Sequence, residues 1–146
     1  MPVTPLHSIT GLRIDIDGSV TEHEVPVDGD SALDGMYAVL GVDTVDVATL
    51  RPCPGSPGRT LDAWVDDSGM LNSVPNWIGT GLAALMSDDH TRVLYGPILL
   101  LVTDERTGRS HSVPRQLRAA IGEAARLLGQ SQRVQRQVAR SVDRLS

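Results

Sequence analysis

The apolar run from Leu94 to Val102 constrains the fold of this chain more than any other feature. It is the most hydrophobic stretch of the 146 residues, and a short apolar run bounded by turn residues is typical of a buried strand. We expect it to form the central strand of a sheet. The chain has the length of one domain, and because it contains no Phe, Leu, Val, Ile and Ala must fill the core.

The elements around this run indicate an α+β fold. Leu12, Ile14 and Ile16 alternate with polar residues, which is the period of a half-buried strand. The dipeptide Asp17-Gly18 favours a tight turn, so a hairpin is expected with a second strand from Val20 to Val27. The predicted order β-β-α-β-β-α-β-β-α-α lacks the βαβ alternation of a doubly wound fold. We therefore predict a mixed, mainly antiparallel sheet with helices packed on one side and a C-terminal helical extension.

Glycine and proline residues predict where the elements end. Gly41 should stop the first helix, and Pro75 should open a second helix that runs to about Met86. The segment Arg51–Gly58 holds three prolines, and it is predicted to be a surface loop that cannot pair in a sheet. Gly129 should interrupt the C-terminal helices. The chain therefore divides into a single α+β domain at 1–128 and an amphipathic, Arg-rich helix at 129–146.

Composition excludes several classes of protein. The single Cys53 cannot form an internal disulfide or a thiolate metal site alone, and no apolar run reaches the ~18 residues of a membrane span. The four histidines are scattered without paired ligand spacing, so no metal site and no cofactor are predicted. The first ten residues lack the profile of a signal peptide, so we expect a cytoplasmic protein with no membrane partner.

One motif hints at catalysis. The segment Asp15-Ile-Asp17-Gly-Ser-Val20 resembles the D-x-D-G-T opening of haloacid-dehalogenase-type phosphatases, in which the first Asp attacks phosphorus. That chemistry also uses a cation, normally Lys, and every basic residue of this chain is Arg. The sequence predicts a hairpin turn here and no catalytic residues, so the protein is predicted not to be an enzyme.

A more extended pattern spans three elements. It consists of the segments Leu61–Met70, Pro75-Asn76 and Tyr95–Leu100. In these segments the chain resembles domain-of-unknown-function family 3846, small proteins of bacteria, phages and plasmids, many from actinobacteria. The resemblance implies a strand that ends in an acidic turn, an Asn that opens a helix, and a Gly before an apolar strand. It implies no activity.

Five residues of this pattern form a candidate ligand site. Aromatic rings on neighbouring strands could stack a planar ligand while the Asn side chain reads its edge. The alternative is core packing, with the Asn serving as a helix cap. The candidate residues are Trp64, Asp66, Asp67, Asn76 and Tyr95.

The C-terminal segment carries two stripes at helical spacing. The apolar stripe consists of Val134, Val138, Val142 and Leu145, and a second stripe beside it consists of Arg133, Arg136, Arg140 and Arg144. Residues 1–103 have a net charge of −10 and residues 104–146 a net charge of +5, so the helix could pack on the acidic body or pair with its copy. No aromatic residue interleaves the arginines to stack bases, and the pI is about 5.2. A nucleic-acid partner is therefore not expected.

These observations predict a non-enzymatic binding or accessory protein of a phage, plasmid or actinobacterial genome. It would act through protein–protein contact and self-association, and a homodimer is favoured. The alternative is a protein that binds or sequesters a small, nucleotide-like ligand. A phosphatase-like enzyme comes third.

Overall fold

The computed structural model describes residues 7–87 and 92–145, with side chains for 7–87, 92–132 and Arg140. Within these residues the chain forms six strands and four helices. This confirms the α+β class. The elements are β1 (His7–Ile14), β2 (Val20–Val27), α1 (Leu33–Leu40), β3 (Val45–Pro52), β4 (Arg59–Asp66), α2 (Gly69–Asn72), α3 (Trp77–Met86), β5 (Ile98–Asp104), β6 (Ser110–His111) and α4 (Arg115–Leu145).

The strands form one antiparallel sheet with the order β2-β1-β5-β4-β3. The short β6 pairs with the second half of β5, beyond the end of the β1 pairing. As predicted, the apolar run supplies the central strand. Its first residues form a bend instead, because Gly96 adopts a φ of +72°, and β5 begins at Ile98.

Helices cover both faces of the sheet. On β5, Ile98, Leu100 and Val102 belong to the core beneath α3 and α4, whereas Leu99 and Leu101 belong to a second core beneath α1. The expected placement of helices on one side therefore describes α3 and α4, and α1 is the exception. The reason is the apolar run itself: a strand whose alternate side chains are all apolar needs cover on both faces.

Two glycines define the turns that the sequence predicted. Gly18 adopts a φ of +89° in the β1–β2 hairpin, where the Asp17 carboxylate accepts a hydrogen bond from the Ser19 N–H at 2.9 Å. Gly41 is the C-cap of α1. It adopts a left-handed backbone conformation, and its N–H group donates to the carbonyl of Tyr37. Both positions need the conformational freedom of glycine.

The proline-rich loop is shorter than predicted. Arg51 and Pro52 belong to β3 and pair with Leu61 and Thr60 of β4. A proline is tolerated there because β3 is an edge strand, and a shift of register between Thr49 and Arg51 accommodates it. The prediction that this segment cannot pair in a sheet was wrong for these two residues.

The predicted interruption at Gly129 was also wrong. Helix α4 continues without a break from Arg115 to Leu145, so the predicted boundary between 128 and 129 lies inside one helix. The division into two parts stays a prediction. The side chains of most residues in the two predicted stripes lie outside the described residues: Val134, Val138, Val142, Leu145, Arg133, Arg136 and Arg144. Arg140 is described, and it is exposed.

Candidate functional site

Three of the five candidate ligand residues lie together at one end of the sheet, where β4 ends and β5 begins. Strand β4 ends at Asp66, and the chain turns through Asp67 and Ser68 into α2. The Asp66 carboxylate accepts a hydrogen bond from the Ser68 N–H at 3.0 Å, which fixes the turn. Asp67 is exposed. The predicted acidic turn is therefore present at this end.

A groove of about 450 Å³ lies beside this turn, and we call it the rim groove. It brings together three of the five candidate residues, Asp66, Asp67 and Tyr95. Asp46 and Arg92 also line it, and they form an ion pair at 3.2 Å between partly exposed side chains. The groove therefore presents carboxylates, one paired guanidinium and one aromatic ring. The remaining lining residues are Val65, Gly69, Met70, Val93 and Leu94.

Asn76 does not line the rim groove and is fully buried behind it, where its backbone N–H donates to the carbonyl of Leu94. Its side-chain oxygen accepts a hydrogen bond from the Gly79 N–H at 2.9 Å, which makes it the N-cap of α3. Its amide group donates to the carbonyl of Ile14 at 3.0 Å and to the carbonyl of Gly96 at 2.9 Å. Both donor hydrogens and one acceptor position are therefore used inside the protein. These contacts support the role of a cap.

Trp64 is separated from the rim groove by the sheet. It packs at the margin of the core beneath α1, and its indole nitrogen is buried without a hydrogen-bond partner among the described residues. Tyr95 was expected on a strand, but it precedes β5 and forms an isolated bridge with Pro75. The sequence suggested that both rings could stack on one planar ligand. In the structure the two rings do not line a common pocket.

One buried carboxylate does not follow from the sequence patterns described above. Asp62 on β4 is only 4% exposed, and it accepts hydrogen bonds from the hydroxyls of Thr60, at 3.0 Å, and Thr103. Two hydroxyl donors on adjacent strands compensate the loss of water around the carboxylate. The signal in the sequence was the alternation of Thr60 and Asp62 on one face of a strand.

The two acidic residues of the phosphatase-like motif bind within the hairpin. The Asp15 carboxylate accepts from the Arg13 guanidinium at 2.8 Å. The pKa of Asp17 lies below its ordinary value because the hydroxyl and the N–H of Ser19 donate to its carboxylate. Among the described residues, no three His, Cys, Asp or Glu side chains come together as metal ligands.

Another candidate surface lies on α3 and α4. Leu128 packs against Gly81 of α3, where a methyl group at Gly81 would lie 3.3 Å from the Leu128 side chain. The neighbouring Leu127 is 52% exposed, and on α3 Trp77 and Leu85 are 56% and 68% exposed. Three large apolar side chains of these two helices are therefore open to solvent. Such surface is a frequent feature of protein–protein contacts.

No family model, no curated protein and no solved structure matches this chain. Within the part of the chain that the structure describes, none of the helices combines the length and the hydropathy needed to cross a bilayer.

Proposed function

We propose that this protein is a non-enzymatic binding or accessory protein that self-associates through an apolar stripe of α4 that runs from Leu127 to Leu145. The exposed Leu127 carries the proposal. It lies seven residues, about two helical turns, before Val134, and so it extends the apolar stripe of the tail onto the described part of the helix. A phage, plasmid or actinobacterial setting and a cytoplasmic location rest on the sequence alone.

The stripe differs from the face that α4 packs on the body. On α4, Ile121 and Ala125 are buried in the core, and Leu117, Ala124 and Leu128 are partly buried against it. At 100° per residue, the centre of this face lies about 90° around the helix from the centre of the stripe, and the two faces meet at Ala124, which has the same helical angle as position 142. Leu127 lies outside the packed face and is 52% exposed. Burying a Val or Leu side chain contributes up to ~1.5–3 kcal/mol of favourable free energy. A partner that covers the stripe therefore gains binding free energy from each side chain that it buries.

The spacing of the stripe favours an antiparallel pair of identical helices. About a two-fold axis near Arg136, Leu127 of one copy lies opposite Leu145 of the other, and Val134 lies opposite Val138. A two-fold contact requires such a self-complementary pattern. The second copy therefore offers an apolar partner for each of these four positions.

The first test places a charge in the proposed contact. Val138→Asp would bury an unpaired carboxylate, so we expect a dimer to become a monomer in sedimentation velocity. Gln137→Asp is the matched control, because it adds the same charge in the same turn but lies about 100° from the centre of the stripe. An unsubstituted protein that sediments as a monomer, or a Val138→Asp dimer, would refute self-association through this stripe.

The second test reads the direction of the helices by disulfide formation. It uses Leu127→Cys and Leu145→Cys chains in a Cys53→Ala background, since Cys53 is buried and free. An antiparallel pair predicts cross-links in the mixture and none in either chain alone. Cross-linking of Leu127→Cys with itself would indicate a parallel pair and contradict the proposed geometry.

The second candidate function is small-ligand binding in the rim groove. Its volume of about 450 Å³ lies within the usual range for ligand sites, and Tyr95 supplies a ring. The carboxylates of Asp66 and Asp67 disfavour a phosphate group, so the groove suits a cationic ligand better than a nucleotide. Native mass spectrometry of the protein from its own host tests this. Retained mass that is lost in Tyr95→Ala supports it, and no retained mass contradicts it.

A further inference from the structure

The unbroken α4 aligns arginines that the sequence analysis had divided between two helices. Nine positions along α4 follow one another at steps of three or four residues, with a mean close to the 3.6 residues of a helical turn. They hold only Arg and Gly, and we call them the arginine stripe. The stripe consists of Arg115, Arg118, Gly122, Arg126, Gly129, Arg133, Arg136, Arg140 and Arg144.

The described members of the stripe show how much of this charge is available. Arg118 donates to the carbonyl of Val113 and to the Glu22 carboxylate, and Arg126 pairs with Glu123. Arg115 and Arg140 are exposed and form no ion pair among the described residues. At 100° per residue no acidic residue falls within the stripe. The charge of α4 is therefore concentrated along one line.

Gly122 gives a second, independent observation. A glycine is unfavourable inside a helix, and the glycines of α3 have close neighbours that explain them. A methyl group would lie 2.1 Å from Ile98 at Gly79 and 3.3 Å from Leu128 at Gly81. At Gly122 it would meet no atom of the described residues within 4 Å. Packing within the described part of the chain does not require this glycine, whereas a bare helix surface between two arginines allows an external backbone to approach closely.

Contrary to the expectation from composition, we propose that the arginine stripe binds the phosphate backbone of double-stranded nucleic acid. That expectation rested on the pI of the whole chain and on base stacking, whereas contacts to the phosphates of a duplex need only a local line of cations. The guanidinium group is well suited to phosphate oxygens because it can donate two parallel hydrogen bonds. The stripe extends for about 44 Å, which fits a linear polyanion. The acidic rim groove of a second copy fits the stripe less well, because its volume of about 450 Å³ can hold only a few arginine side chains. A helix also fits the major groove of B-DNA.

Two properties of the complex follow from the stripe. The proposal assigns the arginines to phosphates, and phosphate contacts carry no sequence information, so binding is expected to be independent of base sequence. The stripe lies about 150° around α4 from the apolar stripe, so one helix serves both surfaces. The proposal does not depend on self-association, because each chain carries the whole stripe.

The test measures binding of the full chain to a random-sequence 30-base-pair DNA duplex by fluorescence anisotropy between 50 and 200 mM NaCl. The logarithm of the binding constant should fall linearly with the logarithm of salt concentration, with a slope of up to about −6 if all seven arginines neutralise phosphates. The Arg115→Gln/Arg140→Gln variant should make the slope about 2 shallower. Arg51→Gln/Arg106→Gln is the matched control. It removes two charges from exposed arginines outside α4 and should leave the slope unchanged.

Gly122→Arg provides a gain of function that cannot arise from misfolding. The site is open, so the added guanidinium should tighten binding at 50 mM NaCl and make the slope about 1 steeper. No binding at 50 mM NaCl overturns the proposal, as does an equal loss in the two double variants. Binding to phosphatidylserine vesicles in preference to DNA overturns it in favour of a membrane surface. The Val138→Asp monomer should still bind DNA, so this test and that of self-association fail separately.

Discussion

Replacing Asn76 with Ala should remove one of the main internal links of the protein. The change deletes the N-cap of α3, which is worth about 0.5–2 kcal/mol. It also leaves the buried carbonyls of Ile14 and Gly96 without the donor that Asn76 supplies, at about 1–3 kcal/mol each. We expect the free energy of unfolding to fall by about 3–5 kcal/mol. At about 3–5 °C per kcal/mol for a chain of this size, Tm should fall by about 10–20 °C.

Two further variants separate the cap from the other two hydrogen bonds. Asn76→Ser keeps an acceptor for the Gly79 N–H and should recover about 1 kcal/mol. Asn76→Asp also keeps the acceptor but turns a carboxylate toward two carbonyl oxygens. Its carboxyl pKa should be raised, and it should gain stability relative to Asn76→Ala as the pH falls and the acid becomes a donor.

Urea unfolding followed by circular dichroism measures these differences. Asn72→Ala is the control, because Asn72 is exposed on α2 and its loss should change stability by no more than about 0.5 kcal/mol. A loss below about 1 kcal/mol in Asn76→Ala, or an Asn76→Ser protein no more stable than Asn76→Ala, would refute the assigned role.

Three other predictions concern the glycines, a histidine and the hairpin. Gly79→Ala should lower the free energy of unfolding by about 1–3 kcal/mol because of the contact with Ile98, whereas Gly122→Ala should raise it by about 0.5–1 kcal/mol; thermal unfolding compares the two. Partial burial, with a contribution from nearby arginines, lowers the pKa of His111. The unfolded chain therefore takes up the proton first, and stability should fall as the pH drops below about 6.5. His111→Gln should weaken this dependence, and NMR titration of the ring checks the pKa. Asp15→Asn should leave any activity intact, and magnesium-dependent phosphatase turnover that this variant abolishes would contradict the hairpin role.

The sequence predicted those parts of the fold that depend on neighbouring residues. Asp17-Gly18 and Gly41 act through their own backbone conformation, so the first hairpin and the end of α1 were correct. The interruption at Gly129 was wrong because the preference of a single glycine is small compared with the stability of a long helix. Pro52 was wrongly placed in a loop, because its tolerance depends on β3 being an edge strand. No local pattern reveals an edge.

The candidate site was predictable only in part, for the same reason. Asp67 was correctly placed in a turn because it follows the strand directly, whereas Asp66 is the last residue of β4 and pairs with Val45. The role of Asn76 as a cap also follows from its local position. Its hydrogen bonds to Ile14 and Gly96 join segments that are distant in the chain, and spacing alone does not show them. Trp64 and Tyr95 are separated because Trp64 packs on the core beneath α1, whereas Tyr95 lies in the bend before β5, beside Gly69. Neither placement follows from local spacing.

The position of β5 in the sheet has a consequence for how the protein reaches its native state. The β1–β2 and β3–β4 hairpins are local and can form as soon as their residues leave the ribosome, but they do not pair with each other. Only β5 joins them, through pairs such as Leu12 with Leu100 and Ala63 with Leu100. Closing such distant contacts is slow. Until β5 is synthesised, β1 and β4 each expose an unpaired edge, and chaperone binding or aggregation competes with folding during that interval.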